Sequence, residues 1–443
     1  MNDTAKLIVR ILQLAGFEAF FVGGSVRDSL IGKEPHDIDI ATSATPDQVE
    51  HIFNSRAEFR VKEVGAAFGV VLLKRGDEEF EVASFRADQF EGKTDGRRPS
   101  SVKLNATSAE DAQRRDFTIN ALFQDPTTGK ITDHVGGLAD IENHIIRFVG
   151  DPNQRIEEDS LRMLRAVRFA LKLGWDIEEK SFLAIRRSAE KINRISAERI
   201  TLELEKMLAC RNPRMMLALL EELHLLRMIL PEVAALRGVK QSPIHHPEGD
   251  AMEHTKRVMQ AVVNESFELQ MAAMLHDIGK ATNTIEDEKG IHSFAHEKEG
   301  ASMAEAICRR LKLSVEQTER ITWLVLNHMK LHFNAEGMKL ATLRRLVAHP
   351  FFEDLHKLAE ADCKGSRGDT STLEAFDARI AKLPKEKDLP QPLITGNDLK
   401  ALGLKPGPSF KSILTYIQDM QLEGKLQTKA DALKELDSII STL

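Results

Sequence analysis

Short apolar runs and charged breaks alternate through the first 150 residues. Phe20-Phe21-Val22, Val70-Val71-Leu72-Leu73 and Phe80-Glu81-Val82-Ala83 are rich in β-branched and aromatic residues and are bounded by glycine or charge, which predicts strands. The opening MNDTAKLIVRILQLAGFEAF instead repeats its apolar positions at helical spacing, with charges among them. It lacks the compact apolar core and small-residue cleavage site of a secretory signal. From Glu157 to about Arg237 the apolar spacing is three and four and strand signals vanish. Helical character continues to about residue 383. Pro384 to Pro392 (PKEKDLPQP) holds three prolines in nine positions and reads as a linker, and the last fifty residues are again helical and Lys-rich. The pattern predicts an α+β chain: an N-terminal head with a small mixed sheet (1–150), an all-α neck (151–235), a helical body (236–383), and a linker with a helical tail (384–443).

Length and composition narrow this little further. The 443 residues predict two to four domains, and 42% hydrophobic with 29% charged residues excludes collagen-like and wholly disordered chains. No apolar run approaches the roughly 18 residues needed to span a bilayer, so no membrane association is expected. Cys210, Cys308 and Cys363 are far apart and odd in number, which suits a reducing cytoplasm better than a disulfide framework. The net charge of −7 does not exclude nucleic acid, because local stripes matter more than the total.

Candidate chemistry in the head begins at Phe21-Val22-Gly23-Gly24-Ser25-Val26-Arg27-Asp28. A strand ends in two glycines and a helix starts, so the backbone could approach a phosphate with Arg27 as a charged donor. In His36-Asp37-Ile38-Asp39-Ile40, a strand of period two puts both carboxylates on one face and both isoleucines on the other. Two such carboxylates repel unless a cation sits between them, and paired Mg²⁺ ions held this way can activate a hydroxyl and clamp a triphosphate. Glu81, in a later alternating strand, is a candidate third carboxylate. Arg114-Arg115-Asp116-Phe117-Thr118 places adjacent arginines where they could grip phosphate oxygens.

Wheeled at about 100° per residue, Glu157–Lys172 is expected to form one helix. Leu161, Leu164, Val167 and Leu171 gather on one side and Glu158, Arg162 and Arg165 on the other, flanked by Asp159, with Arg168 nearer the apolar side. An Asp–Arg pair three residues apart could hold itself rigid and present an acceptor and donors to the edge of a base. Residues 155–214 carry 14 Lys and Arg against 10 Asp and Glu, an RNA-facing balance.

The glycine turn with Arg-Asp, the DxD strand, the RRDFT run and the EDxxRxxRxxRF helix, in that order over about residues 20–172, resemble the class II tRNA nucleotidyltransferase and bacterial poly(A) polymerase family. The resemblance implies that Asp37 and Asp39 bind Mg²⁺. It implies that Gly24 and Arg27 contact the nucleotide and Arg115 its phosphates. Asp159 and Arg162 would read the incoming base, supported by Arg165 and Arg168. Asp133 with Gly136-Gly137 looks like the stretch joining head to neck. Protein side chains, rather than a template, choose C or A in this family.

Eight of the 15 histidines fall between His245 and His332: His245, His246, His254, His276, His292, His296, His328 and His332. Imidazoles with a carboxylate make a good transition-metal site. His276-Asp277 after an apolar helix, with His254 before it and Asp362 after it, resembles the HD phosphohydrolase superfamily. His254, His276, Asp277 and Asp362 match its ligand set, and His296 and His328 would be additional ligands. Ni²⁺, Mn²⁺ or Zn²⁺ would suit such a site.

The expected function is addition of the 3′-terminal CCA of tRNA from CTP and ATP, with the tRNA 3′ end as partner and no obligate protein partner. Enzymes that add only CC lack a flexible loop that is present here as Ala87–Arg98. Poly(A) polymerases typically lack the intact HD ligand set. An A-only enzyme stays open, and from another class so does an HD phosphohydrolase whose head merely binds RNA. A non-catalytic RNA-binding protein is disfavoured by two complete metal-ligand sets.

Overall fold

The computed structural model describes residues 2–35, 37–63, 69–89, 101–243, 246–288, 290–332, 335–383 and 389–440. His36, most of the loop Ala87–Arg98, His245 and the first part of the linker lie outside them. The chain divides into two compact units, Met1–Ala234 and Ala235–Leu443.

The first unit opens with α1 (Asp3–Leu14), β1 (Ala19–Val22), α2 (Gly24–Leu30), β2 (Asp39–Thr42), α3 (Pro46–Asn54), β3 (Arg60–Glu63), β4 (Val70–Arg75) and β5 (Glu78–Ser84). The hairpin of β6 (Arg86–Gln89) and β7 (Ser101–Leu104) follows, then α4 (Ser108–Arg114), a 3₁₀ turn at Thr118–Asn120, β8 (Leu122–Gln124), β9 (Ile131–Asp133) and α5 (Gly137–Glu142). Seven strands form one mixed sheet in the order β3-β4-β5-β2-β1-β8-β9, parallel only between β2 and β5. Period two decides the faces. Ile40, Val82 and Phe21 are buried with α1 and α3 on one side, while Ala41, Val22, Phe85 and Phe123 fill a second core on the other.

The neck is helical, with α6 (Pro152–Glu158), α7 (Arg162–Leu173), α8 (Glu179–Ser188), α9 (Ala197–Leu208), α10 (Pro213–Glu222) and two single turns, α11 (Leu226–Ile229) and α12 (Pro231–Ala234). It is not purely α: β10 (Ile145–Ile146) pairs in parallel with β11 (Asp176–Ile177). The single helix expected over Glu157–Lys172 is broken. Asp159 is extended (φ −153°, ψ 102°) and its carboxylate accepts from the Leu161 amide at 3.1 Å, a local bond that competes with the helical ladder. Beyond the break the expected stripe holds: Leu161, Leu164, Val167 and Leu171 are buried.

The second unit contains α13 (Ala251–Ala261), α14 (Phe267–Leu275), α15 (Lys280–Asn283), α16 (His296–Arg310), α17 (Val315–Asn327), α18 (Leu340–Val347), α19 (Phe352–Gly365) and α20 (Ser371–Ile380). Here too the all-α expectation needs a correction. β12 (Thr284–Asp287) and β13 (Gly290–Ser293) form a hairpin in which Ile285 pairs with His292, the alternation being too short to stand out in sequence. The tail helices α21 (Gly396–Ala401), α22 (Pro408–Leu422) and α23 (Lys429–Ile440) close around Leu399, Ile417 and Leu436.

Ile40 is fully buried directly behind Asp39. Ile40→Ala should lower the stability of the first unit by about 2–5 kcal/mol, the cost of a core cavity. Trp175, in that unit, reports its unfolding in a Trp323→Phe background.

Candidate active site and metal centre

The parallel register of β2 and β5 pairs Ile40 with Val82. One position earlier on each strand stand Asp39 and Glu81, side by side on the same face and exposed. Asp37 is not on the strand; it sits at a bend just before β2 begins. All three carboxylates line a cleft of about 790 Å³ that Glu34 and Glu79 also border. The surrounding protein thins the water around Asp39, and Glu81 and Asp37 repel its charge, so its carboxyl is raised above the usual range against the pull of Arg115. A divalent cation would relieve that repulsion, so these residues fit one.

Of the two glycines after β1, Gly23 is the one whose geometry demands glycine. Its φ is +73°, and an added Cβ would lie 3.4 Å from Asp39 Oδ2 and 3.7 Å from Arg115 Nη1. Gly24 begins α2 without a positive φ, and a Cβ there would lie 3.4 Å from Arg27 Nη2. Arg115 is aimed at this turn by the buried Asp111, which accepts from Arg115 Nε at 3.0 Å and Nη2 at 2.9 Å, and from Arg114 Nε at 2.8 Å. Arg27 is buried. It donates to Asp28 Oδ1 (2.9 and 2.6 Å) and Asn120 Oδ1 (2.5 Å), and its guanidinium lies over Phe169. It therefore ties α2 to the 3₁₀ turn and the neck.

The neck charges pair differently from the expectation. Arg162 donates to Glu158 Oε2 at 2.6 Å and to the Arg114 carbonyl at 3.0 Å, while Asp159 pairs with Arg199 of α9 at 2.7 Å. The break between α6 and α7 separates the two residues that a continuous helix would have stacked. Arg165 grips Asp116 with Nε at 2.8 Å and Nη2 at 2.5 Å. Burial works against the Asp116 charge, but Arg165 outweighs it and holds the carboxyl at about 2. Arg168 donates to Glu203 at 2.6 Å and covers the Phe169 ring. Asp133 accepts from the amides of Val135, Gly136 and Leu138, fixing the entry to α5.

In the second unit the helices bring His254 (α13), His276 and Asp277 (after α14), His296 (the start of α16), His328 (the end of α17) and Asp362 (α19) into one buried group. Asp277 divides its oxygens. Oδ2 is 3.2 Å from His276 Nε2, and Oδ1 is 3.3 Å from His296 Nε2 and 3.7 Å from His328 Nε2. Asp362 Oδ1 lies 3.0 Å from His254 Nε2. The tautomers follow from the outer nitrogens. His276, His296 and His328 each place Nδ1 within 2.7–2.8 Å of a carbonyl three residues earlier, Ala273, Ser293 and Val325. Nδ1–H donates, which leaves Nε2 to present its lone pair inward. Nε2 atoms then face each other at 3.3 Å (His254 and His276) and 3.2 Å (His296 and His328). Facing lone pairs repel unless a proton or a metal lies between them, so this donor set fits a metal ion.

The same crowding sets the protonation of these side chains. Burial alone would lower each imidazole. Asp362 and Glu248 override it at His254, which rises to about 9, and Asp362 overrides it at His332, which rises to about 10. At His328 burial prevails, with the neighbouring His276 adding to it, and the ring falls to about 3. Asp277 and Asp362 are driven well below the carboxylate range by the charges around them despite their burial.

The sequence reading did not single out Lys280, Gln241, Glu248 or His332 as site residues. Lys280 Nζ is 2.7 Å from Asp277 Oδ2 and 2.6 Å from Gln241 Oε1, and His332 Nε2 is 3.1 Å from Asp362 Oδ2. Lys280, four residues after His276, was legible in MLHDIGK, and His332 stood in the histidine cluster; Gln241 and Glu248 had no pattern to mark them.

Comparisons with known proteins agree with this geometry. Residues 19–147 match the poly A polymerase head domain, 174–236 the probable RNA and SrmB-binding site of polymerase A, and 251–381 the HD domain. CCA-adding enzymes of Enterococcus faecalis and Staphylococcus aureus are 46% identical over 204 residues and 45% over 206, covering 46% of this chain and 48% and 50% of theirs. The chain thus spans about half the length of the curated relatives it matches. The structure of the Bacillus stearothermophilus CCA-adding enzyme in complex with CTP superposes over 100% of both chains, with a TM-score of 0.73 at 26% identity. That of the Thermotoga maritima CCA-adding enzyme complexed with tRNA shares the fold, with a TM-score of 0.62 at 20% identity over 99% of this chain and 95% of that one. Head, neck and body each match in turn, and the whole chain has the fold of the Bacillus stearothermophilus CCA-adding enzyme. Its head and HD domain both point to dependence on divalent metal. Among the described residues no helix is long and apolar enough to cross a membrane.

Gly279 sits where an added Cβ would fall 2.2 Å from the His296 carbonyl. Gly279→Ala should push the start of α16 outward, displace His296 and cost the second unit about 1–3 kcal/mol. Trp323 fluorescence in a Trp175→Phe background measures the loss.

Proposed function

We propose that the chain is a tRNA nucleotidyltransferase that builds the 3′-terminal CCA from CTP and ATP without a template, releasing pyrophosphate. The observation that carries the reading is the carboxylate group of Asp37, Asp39 and Glu81 beside Arg115 at the Gly23 turn. In this reading residues 1–150 are the catalytic head, 151–235 a neck that binds nucleotide and RNA, 236–383 the metal-binding body, and 384–443 a linker and tail that contact RNA.

Asp37 and Asp39 would hold Mg²⁺, with Glu81 as third carboxylate. Bound there, the metal makes the RNA 3′-oxygen a better nucleophile and neutralises triphosphate charge. The 3′-hydroxyl gives up its proton to solvent, its oxygen forms a bond to the α-phosphorus, the bond to the bridging oxygen of the β-phosphate breaks, and pyrophosphate leaves. Arg115, held by Asp111, binds phosphate oxygens, and the backbone at Gly23 and Gly24 lets the nucleotide approach Asp39. Arg27 acts from inside, keeping α2 and its turn in place. Asp159 offers an acceptor and Arg162 donors to the base edge. Arg165, through Asp116, and Arg168, through Glu203, support the wall behind them.

The body supports a second activity. His254, His276, Asp277 and Asp362, with His296 and His328, would hold a transition metal such as Ni²⁺, Mn²⁺ or Zn²⁺, and the centre would hydrolyse phosphoesters. The inward-facing Nε2 atoms of His276, His296 and His328, whose Nδ1–H groups are held by backbone carbonyls, favour this reading.

Product length tests the first proposal. Purified protein given tRNA ending at the discriminator base, with CTP and ATP, should add three nucleotides. Addition only to tRNA ending in CC would make it an A-only enzyme, a long A tail would make it a poly(A) polymerase, and no addition to any RNA would leave the phosphohydrolase with an RNA-binding head. Asp39→Ala should abolish incorporation while tRNA binding measured by filter retention survives, because the loss falls on transition-state charge. Asp159→Ala should relax the preference for CTP and ATP over UTP and GTP by roughly 1–3 kcal/mol in kcat/KM, the value of a lost hydrogen bond to a charged group. A variant that is slow but equally selective would remove Asp159 from base reading.

A further inference from the structure

Three of the four histidines around Asp277 fasten Nδ1 to a backbone carbonyl three residues earlier. His254 is built differently. The carbonyl three residues before it, that of Ala251, accepts the Thr255 hydroxyl at 2.9 Å. His254 Nδ1 instead forms an ion-pair contact of 2.8 Å with Glu248 Oε1, close enough for charge to act but not aligned as the carbonyl hydrogen bonds of the other three are. That carboxylate is on the segment leading into α13, and its side chain is fully buried. The same oxygen accepts from His246 Nδ1 at 2.9 Å, and Arg257 approaches the other oxygen only to 3.9 Å. Burying a carboxylate is costly, and here its near neighbours are imidazoles and one distant guanidinium.

Resting on the reading of this group as a metal centre, we propose that Glu248 is the positioning residue of His254. It fixes the tautomer that turns Nε2 toward His276 and Asp362, and it makes His254 the most strongly donating nitrogen of the set. A carboxylate behind a ligating imidazole pulls the Nδ1 proton toward itself and leaves more electron density at Nε2; a carbonyl does this less. The site then has one ligand tuned by a full charge and three tuned by dipoles. Neither the HD match nor its usual ligand set includes Glu248.

The test is a Co²⁺ titration of the full chain in excess Mg²⁺, followed by visible absorption, with His276→Ala marking which band belongs to the body. Glu248→Gln, isosteric but uncharged, should weaken Co²⁺ binding about 10–100-fold and shift the band, as expected when a ligating histidine loses its carboxylate partner. Glu248→Ala should weaken it at least as much. If wild-type protein binds Co²⁺ in the body and both variants bind it equally tightly with an unchanged spectrum, Glu248 does not position His254 although the centre stands. If wild-type protein shows no band that His276→Ala removes, the metal centre itself fails and the inference falls with it. Should Glu248→Ala not fold, the Gln variant alone decides.

Discussion

The head depends on one pairing, that of β2 with β5. Among the described residues it is the only parallel contact in the main sheet, and it holds Asp39 against Glu81 on one face while Ile40 and Val82 fill the core behind them. The cost of two adjacent carboxylates is met by burial on the opposite face of the same strands. The site cannot relax by letting the strands separate, because that would expose Ile40, Val82 and Phe21. The body applies the same logic with different groups. Helices packed by their apolar faces press four imidazoles and two carboxylates together, and Gly279 gives up its side chain so that the start of α16 can approach.

Around the site stands a set of arginines anchored by neighbouring side chains. Arg115 answers to Asp111, Arg165 to Asp116, Arg168 to Glu203, Arg162 to Glu158, and Arg27 to Asp28 and Asn120. Few of these cations are loose in solvent. A guanidinium held at both edges keeps its plane fixed, so donors meant for a ligand would meet it with little loss of side-chain freedom.

Much of this was legible. Short β-branched and aromatic runs bounded by glycine or charge located β1, β4 and β5, apolar spacing located the buried stripe of α7, and the crowding of histidines located the group in the body. What escaped has identifiable causes. The Asp159 break is a side-chain bond to the Leu161 amide, and a wheel drawn from residue spacing cannot register a local competitor for the helical ladder. Asp37 falls off the strand because β2 begins two residues later than alternation alone suggests. The hairpin of β12 and β13 is four residues a side, shorter than any periodicity can separate from a loop. Asp159 meets Arg199 because of how α9 packs, which is a tertiary fact, and the break at Asp159 leaves Arg162 to Glu158 four residues earlier.

The carbonyl tethers of His276, His296 and His328 bear on how such a centre is passed down through a lineage. Their aim is carried by the backbone at Ala273, Ser293 and Val325, where any residue supplies the same oxygen. Drift at those three positions leaves the histidines pointing as before, and an inventory of invariant side chains would find the ligands without finding what orients them. His254 is exposed to inheritance in the opposite way: its orientation rests on a side chain, so a single codon change at position 248 reaches the centre while every ligand stays in place.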